Sequence, residues 1–242
     1  MEPGTSKAQG GHQGGQKSPH PVGNVPPIDT SSAEYLDFMG RVFDAAVADR
    51  VRQGKKQFSD IPSDELSEIE KGKVMRKEAA TKCIQLLKDA REALGSEQWG
   101  PPENLDAMAH QNLARNVRSI GIASAYRSHG YERRIWTQDC FPKYYKETYA
   151  RRMEAAGGPH GDAAVQIMVR YFSPRKAPPG FSNHSNGKAV DFTTKEGKVT
   201  FTANTSQRAG WRRTWLHEWL VKNAEKYGFH PLASEEWHWD FR

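Results

Sequence analysis

Two short segments towards the C-terminal end of the sequence carry residue types that could perform hydrolysis together. They are residues 182–191 (SNHSNGKAVD) and residues 235–240 (EEWHWD). His184 and Asp191 are seven positions apart, and Gly187 between them permits a tight turn that would bring their side chains together. With His238 they make two histidines and one aspartate, which is the three-ligand pattern of a catalytic zinc site with a fourth position open for water.

The spacing of His184 and Asp191 alone is more typical of a loop histidine and a strand-end aspartate without a metal. The presence of the second segment favours the metal site. On a strand, Glu235 and Glu236 point to opposite faces, so we expect only one of them to reach the metal. Asp240 shares a face with His238, where it either orients that imidazole or forms a surface salt bridge.

The two segments follow the pattern SxHxxGxAxD and then ExxH, and in this the sequence resembles the LAS metallopeptidases, a family named for lysostaphin, D-alanyl-D-alanine metallopeptidases and hedgehog. It is most similar to the VanY-type D-alanyl-D-alanine carboxypeptidases. The fixed positions of the pattern are met by Ser182, His184, Gly187, Ala189, Asp191, Glu235 and His238. The resemblance extends over residues 74–242 and includes residues 125–128 (AYRS), Pro179-Gly180 and residues 219–229.

The resemblance implies a role for each of these residues. It implies a Zn²⁺ held by His184, Asp191 and His238. Glu235 matches the catalytic base, which takes a proton from the attacking water and returns it to the leaving amine. Arg127 matches the arginine that steadies the polarised carbonyl or a substrate carboxylate, and Ser182 is expected to bind substrate or to orient a ligand.

Two positions depart from the family pattern. Ala125 replaces a customary glycine, and Glu132 stands where a glutamine often follows the arginine motif. Neither belongs to the metal set, and both leave the substrate preference open. Among the other histidines, His129 is the one expected to come near substrate, because it follows Arg127 by two residues.

The implied function is a zinc peptidase that hydrolyses D-amino-acid-containing bonds of peptidoglycan stem peptides, with D-Ala-D-Ala carboxypeptidase activity favoured. One alternative is an endopeptidase that cuts L-Ala-D-Glu bonds or cross-links and acts as an endolysin or delivered toxin. Another is a non-catalytic zinc module resembling the hedgehog signalling domain. Binding-only relatives often lose the base, so the presence of Glu235 favours an enzyme.

The amino-acid composition limits the classes of protein and of binding partner that are compatible with this chemistry. The 242 residues carry a net charge of +6 and a mean hydropathy of -0.82, and no run of 18 apolar residues predicts a membrane span. Two cysteines exclude a disulfide framework. The basic charge fits an anionic cell wall. No run of five Lys or Arg residues and no zinc-finger spacing favours nucleic acid.

No conventional secretory signal is visible at the N-terminus. We therefore expect synthesis in the cytoplasm and action on the cell wall after lysis or non-classical delivery. The N-terminal region is then a candidate for contact with secretion or injection machinery.

The residues between the motifs predict an α+β fold, because strands and helices alternate at unequal spacing. The resemblance adds a small antiparallel sheet with flanking helices, as in LAS and hedgehog-like peptidases. We expect a flexible leader (1–28), a helical extension packing on the core (29–100) and the peptidase domain (101–242). Apolar periodicity predicts helices near 32–55, 63–94, 104–118, 142–156 and 208–227. Gly72 is a point where the second helix could divide, and Gly95 is its expected cap. Strands are predicted near 119–126, 165–172, 189–194, 198–202 and 236–241.

Overall fold

The computed structural model describes residues 25–97 and 117–242, and within them the α+β prediction is confirmed. The helices are α1 (Ala33–Arg52), α2 (Lys77–Glu97), α3 (His129–Arg134), α4 (Phe141–Glu147), α5 (Tyr149–Met153), α6 (Asp162–Phe172), α7 (Arg208–Trp211) and α8 (Trp215–Asn223). The strands are β1 (Leu66–Glu70), β2 (Lys73–Arg76), β3 (Val117–Ser124), β4 (Ala189–Glu196), β5 (Val199–Phe201), β6 (Phe229–Leu232) and β7 (Glu235–Phe241). Outside the described residues lie residues 1–24 of the predicted leader (1–28) and residues 104–116 of the predicted helix (104–118).

An antiparallel sheet in the order β3-β4-β7-β6, with β5 added beside β4, forms one half of the structure. One core cluster joins this sheet to α2 and α8 through fully buried side chains such as Leu86, Phe192 and Leu216. We call the sheet with β1, β2, α2, α7 and α8 the sheet region (residues 66–97, 117–124 and 189–241). Because β4 and β7 are inner strands, most of their side chains are buried and their positions are tightly fixed.

A second core is built mainly from aromatic side chains on α1, α4 and α6 and on the π-helical turn Ile135–Cys140. Trp136 stacks on Phe172 with ring centroids 4.4 Å apart, and Phe38 packs edge-on against Phe141. We call α1 and residues 129–172 the helical region. Ser32 caps the N-terminus of α1 by accepting a hydrogen bond from the Tyr35 N–H, as its side-chain type favours.

Two predicted elements were wrong. Residues 66–76 form the hairpin β1-β2 and not the first part of a helix, because Lys71 and Gly72, with Gly72 at φ +71°, make a two-residue turn. Helix α2 starts only at Lys77 and runs past Gly95, which is therefore not its cap. Residues 162–172 form α6 and not a strand. Their buried residues recur at helical spacing, and this outweighs the β-branched composition.

The other predicted elements agree with the structure apart from their boundaries, whereas α3 and β6 were not predicted. The predicted helix 142–156 is divided into α4 and α5, and the predicted helix 208–227 is divided into α7, α8 and a short 3₁₀ turn. The four other strands were predicted correctly to within a few residues. Cys83 and Cys140 are both free thiols. No described helix is long and apolar enough to cross a membrane.

The β1-β2 hairpin packs against the loop that carries the first chemical motif. The Arg76 N–H donates to the Gly187 carbonyl at 3.0 Å, and the Arg76 side chain donates to the Asn186 carbonyl at 3.0 Å. On the other side of β2, the Tyr126 N–H donates to the Val74 carbonyl at 2.9 Å. The hairpin therefore holds both the motif loop and the segment that leads to Arg127.

Candidate metal centre and its pocket

His184, Asp191 and His238 meet in a buried cluster whose ligand atoms all lie within 4.8 Å of one another. His184 Nε2 is 3.1 Å from His238 Nδ1 and 3.3 Å from Asp191 Oδ2, and His238 Nδ1 is 3.0 Å from Asp191 Oδ1. A tetrahedral ion with bonds of about 2.1 Å holds its ligands about 3.4 Å apart. The three predicted ligands are therefore spaced closely enough to share one ion.

Strand register explains why Asp191 and His238 meet. They are paired residues of β4 and β7, and paired residues project from the same face of a sheet. His184 comes from the preceding loop, where the Ser182 hydroxyl accepts a hydrogen bond from the His184 N–H at 3.0 Å. Gly187 has φ +66°, and a Cβ at that position would lie 2.7 Å from Ile61 Cδ1. The motif glycine is thus required by backbone conformation and by space.

The outer nitrogens of both imidazoles are engaged with acceptors. His184 Nδ1 is 2.7 Å from the Ala125 carbonyl oxygen, and His238 Nε2 is 3.0 Å from Asp240 Oδ1. Each outer nitrogen must therefore carry a hydrogen, and in the neutral imidazoles the inner nitrogens present lone pairs. The lone pairs of the two inner imidazole nitrogens then converge with the Asp191 carboxylate. A cation bound between them would be coordinated by all three groups. The chemistry of the donor set fits zinc.

The protonation equilibria of the cluster lead to the same conclusion. Burial lowers the pKa of His184. Burial opposes ionisation of Asp191, but the two histidines hold the pKa of its carboxyl well below the usual range. Burial also opposes a charge on His238, yet its hydrogen bonds to Asp191 and Asp240 raise its pKa to about 9. The cluster thus favours one added positive charge, either a proton on His238 or a metal ion in its place.

Glu235 reaches the same pocket because β7 is irregular. Pro231 of β6 pairs with Trp239 of β7, but the next residue of β6, Leu232, pairs with Glu235. Residues 236–238 of β7 are therefore extra at this step. Such a bulge changes the direction of side chains, and Glu235 and His238 both line the pocket. Glu236 lies elsewhere, with its carboxylate 2.8 Å from Arg208 Nε and 2.6 Å from Arg212 Nη2.

The pocket above the cluster has a volume of about 420 Å³. Ser182 and Arg127 line it together with Lys176 and Asn183. Arg127 Nη1 is 3.8 Å from Asp191 Oδ2, and its backbone N–H donates to the His184 carbonyl at 3.2 Å. All six predicted site residues therefore surround one pocket. His129 is held elsewhere, with its ring nitrogen against the Phe58 carbonyl and its backbone N–H donating to Asp60.

Glu132 is a buried acid that the sequence pattern flagged only as a departure. It is 1% exposed, and its Oε1 lies 3.3 Å from Arg127 Nε. Its Oε2 accepts hydrogen bonds from the Ser185 hydroxyl at 2.5 Å and from the Gly180 N–H at 3.1 Å. Glu132 therefore ties the arginine to the motif loop.

Sequence reasoning missed two further pocket residues. Asn183 donates to Asp240 Oδ1 at 2.9 Å and so fixes the acid that contacts His238. Lys176 lies eight residues before His184, in a segment with no motif of its own. The feature of the sequence that pointed to Lys176 was its position after an apolar segment. Because that segment was predicted as a strand and not as a helix, Lys176 was not recognised.

Comparison with known proteins identifies the family. The family model for VanY, D-alanyl-D-alanine carboxypeptidase, matches residues 102–242. The comparison with curated proteins finds no match. Among solved structures, VanYB in complex with D-alanine-D-alanine is 18% identical, with 77% of this chain and 84% of that chain covered and a TM-score of 0.42.

Two other solved structures are similar to the chain. A mutant VanY D,D-pentapeptidase from a VanB-type resistance cassette, in complex with Zn(II), is also 18% identical, with coverages of 77% and 86% and a TM-score of 0.42. DacB from Streptococcus pneumoniae D39 is 16% identical, with coverages of 76% and 85% and a TM-score of 0.30. The family model matches more than half of the sequence, and on that ground the chain belongs to the VanY D-alanyl-D-alanine carboxypeptidase family.

Proposed function

We propose that the protein is a zinc-dependent carboxypeptidase that removes the terminal D-alanine from peptidoglycan stem peptides ending in D-Ala-D-Ala. The observation that carries the zinc requirement is the convergence of two imidazole lone pairs and one carboxylate in the buried cluster. His184, Asp191 and His238 would hold the ion. Zinc supplies a Lewis acid that polarises a carbonyl and lowers the pKa of water.

Glu235 is the proton carrier in this proposal. Its carboxylate accepts a proton from the water that attacks the scissile carbonyl and delivers it to the amine of the departing D-alanine. Its place on the bulge of β7 supports this role, because the bulge brings it into the pocket beside His238.

Arg127 stabilises the negative charge that develops on the carbonyl oxygen. Its guanidinium is held by Glu132 on one side and lies near Asp191 on the other, so it needs little reorganisation when that charge forms. Ser182 shapes the loop through its hydrogen bond with the His184 N–H and presents its side chain to the pocket.

The test compares two adjacent glutamates by isosteric substitution. Muropeptides with pentapeptide stems and cross-links are incubated with wild type, Glu235→Gln and Glu236→Gln, and products are identified by mass spectrometry while zinc content is measured. We expect wild type and Glu236→Gln to release one terminal alanine. We expect Glu235→Gln to retain zinc and to lose roughly 10²–10⁴-fold in rate.

Other products would contradict parts of this proposal. Scission within the stem or at a cross-link would replace the carboxypeptidase by an endopeptidase. A zinc-loaded wild type that cleaves none of these substrates would contradict peptidase activity on the cell wall. Glu235→Gln with the wild-type rate would remove Glu235 from the mechanism.

A further inference from the structure

Lys176 is a cation on the wall of the pocket that holds the metal cluster. Among the residues that the structure describes, its ammonium forms no hydrogen bond and no salt bridge, although it lines the same pocket as the metal cluster. The other two cations of this wall are engaged. Arg127 lies beside Glu132, and Arg175 donates to the Tyr171 carbonyl and stacks on the Tyr171 ring at 3.8 Å.

The surroundings of Lys176 make an unpaired charge costly. Burial lowers the pKa of its ammonium and the nearby Arg127 lowers it further, while the more weakly acting carboxylates of Glu132 and Asp191 raise it. A partly buried charge is normally paired or hydrogen-bonded, because otherwise its loss of hydration is not compensated. An anionic group of a ligand would compensate this loss.

No acid of the pocket is free to serve as that partner among the described residues. Asp191 lies between two histidines, Asp240 accepts from His238 and Asn183, and Glu132 is occupied by Arg127, Ser185 and Gly180. Glu235, the proposed proton carrier, forms no salt bridge with Lys176. The positive charge of Lys176 is therefore available to a ligand.

Lys176 is also held firmly. It follows the C-terminal end of α6, where the N–H groups of Arg175 and Lys176 both donate to the Phe172 carbonyl, at 2.8 and 2.9 Å. Phe172 is fully buried in the aromatic core, and Arg50 of α1 donates to the Ser173 carbonyl at 2.7 Å. A side chain on such an anchored turn is suited to reading a ligand group at a defined place.

A terminal carboxylate would lie in the same pocket as Lys176. One residue spans about 3.5 Å, so the carboxylate of a departing C-terminal residue lies within one residue of the scissile carbonyl. Lys176 and the metal cluster share one pocket, as this short span requires. An α-linked internal peptide bond offers no carboxylate at that distance, whereas a γ-linked D-isoglutamate does, so a peptide with an internal D-isoglutamate belongs in the test.

We propose that Lys176 is the specificity-determining residue that pairs with the carboxylate of the substrate's terminal residue and so makes the pocket select free C-termini. This inference rests on the proposed carboxypeptidase function. A binding measurement tests it separately from turnover.

The experiment uses the full-length, zinc-loaded Glu235→Gln variant and calorimetry with three N-acylated peptides. One ends in D-Ala-D-Ala as the free acid, the second is its C-terminal carboxamide, and the third carries its one carboxylate on an internal D-isoglutamate and ends in a carboxamide. With Lys176 present, we expect the free acid to bind at least about tenfold more tightly than either of the others.

When Lys176→Met is added to this variant, we expect the affinity for the free acid to fall roughly 30-fold and the affinity for the carboxamide to change less than threefold. The preference for the free acid should therefore be abolished. Lys176→Arg, which keeps the charge, should retain most of the preference. Lys198→Met, on the exposed turn between β4 and β5, is the matched control and should change nothing.

Several outcomes would overturn the assignment of Lys176. Lys176→Met could weaken binding of the free acid and of the carboxamide equally, or it could leave the preference for the free acid unchanged. The variant that keeps Lys176 could bind the isoglutamate peptide more tightly than the free acid, or it could bind none of the three peptides. Failure of the proposed function looks different. In that case the preference for the free acid depends on Lys176, but the wild type cleaves none of the peptides.

Discussion

The sheet region and the helical region both have dense cores, but they contribute different parts of the pocket. Paired positions on β4 and β7 in the sheet region place Asp191 and His238, and the bulge on β7 places Glu235. The turn after α6 in the helical region places Lys176. In the proposed mechanism, the reacting bond and the substrate terminus are therefore handled by separate cores. A change in one core can leave the other function intact.

Glu132 makes polar contacts from the helical region to the motif loop and to the segment before it. It lies on α3 in the helical region, yet it contacts the Ser185 hydroxyl of the motif loop and the Gly180 N–H before that loop. Through Arg127 it also reaches towards Asp191. One of the two positions that depart from the family pattern thus lies where the helical region meets the motif loop.

The largest expected effect compares cavities of equal size in the two cores. Phe38 and Phe229 are both fully buried, the first in the helical region and the second on β6 beside the strand that carries His238. We expect Phe38→Ala and Phe229→Ala each to lower the free energy of unfolding by about 3–5 kcal/mol. Only Phe229→Ala should also weaken zinc binding.

Denaturant unfolding and zinc titration of both variants check this comparison. Loss of zinc affinity in Phe38→Ala would show that the helical region supports the metal cluster directly. Unchanged zinc affinity in Phe229→Ala would show that β7 is fixed without its packing on β6.

The next effect, of intermediate size, is confined to the sheet region. In Asp240→Asn, the amide can turn its NH₂ group towards His238 Nε2, which favours the tautomer with a hydrogen on Nδ1. That tautomer cannot present a lone pair to a metal. We expect zinc affinity to fall by about 10–100-fold while substrate-carboxylate preference is kept.

Competition with a zinc-chelating dye measures this change. Asp89→Asn provides the control, because Asp89 accepts a hydrogen bond from Tyr227 in the same core but away from the pocket. Equal zinc affinities in wild type and Asp240→Asn would mean that Asp240 does not fix the imidazole tautomer.

The smallest effect concerns the hydrogen bond from Arg50 to the Ser173 carbonyl, which links α1 to the turn that carries Lys176. We expect Arg50→Ala to lower the free energy of unfolding by about 1 kcal/mol. It should raise KM for the free-acid peptide a few-fold, with kcat and zinc content unchanged. Steady-state kinetics beside Arg52→Ala, an exposed neighbour on α1, checks this. A fall in kcat would indicate that the turn influences the reacting bond.

The convergence of His184, Asp191 and His238 was predictable from the sequence because these residues lie in two compact motifs. His184 and Asp191 share one turn, and His238 needs only the pairing of β4 with β7 to join them. The entry of Glu235 into the pocket was expected from the resemblance, but its cause was not predictable. A bulge arises from the pairing with β6, which depends on contacts that no local pattern encodes.

The errors in secondary structure had a different origin. Residues 165–172 are rich in β-branched and aromatic side chains, and a window starting at Val165 omits Ala164 and the acidic start of α6 at Asp162. Packing against α1 then decides in favour of a helix, since local propensity is a weak guide when one face is buried. This error also concealed Lys176, whose place in the pocket depends on where α6 ends.

The contact between the β1-β2 hairpin and the motif loop has a consequence for the order in which the site is assembled. The hairpin is synthesised about a hundred residues before the loop and lies outside the part of the chain that matches the family model. It can serve as a template on which the loop later closes, with Arg76 receiving the Asn186 and Gly187 carbonyls. A transplant of residues 102–242 alone would leave those carbonyls without their donors. The shortest segment of the chain that keeps these hydrogen bonds therefore begins before β1.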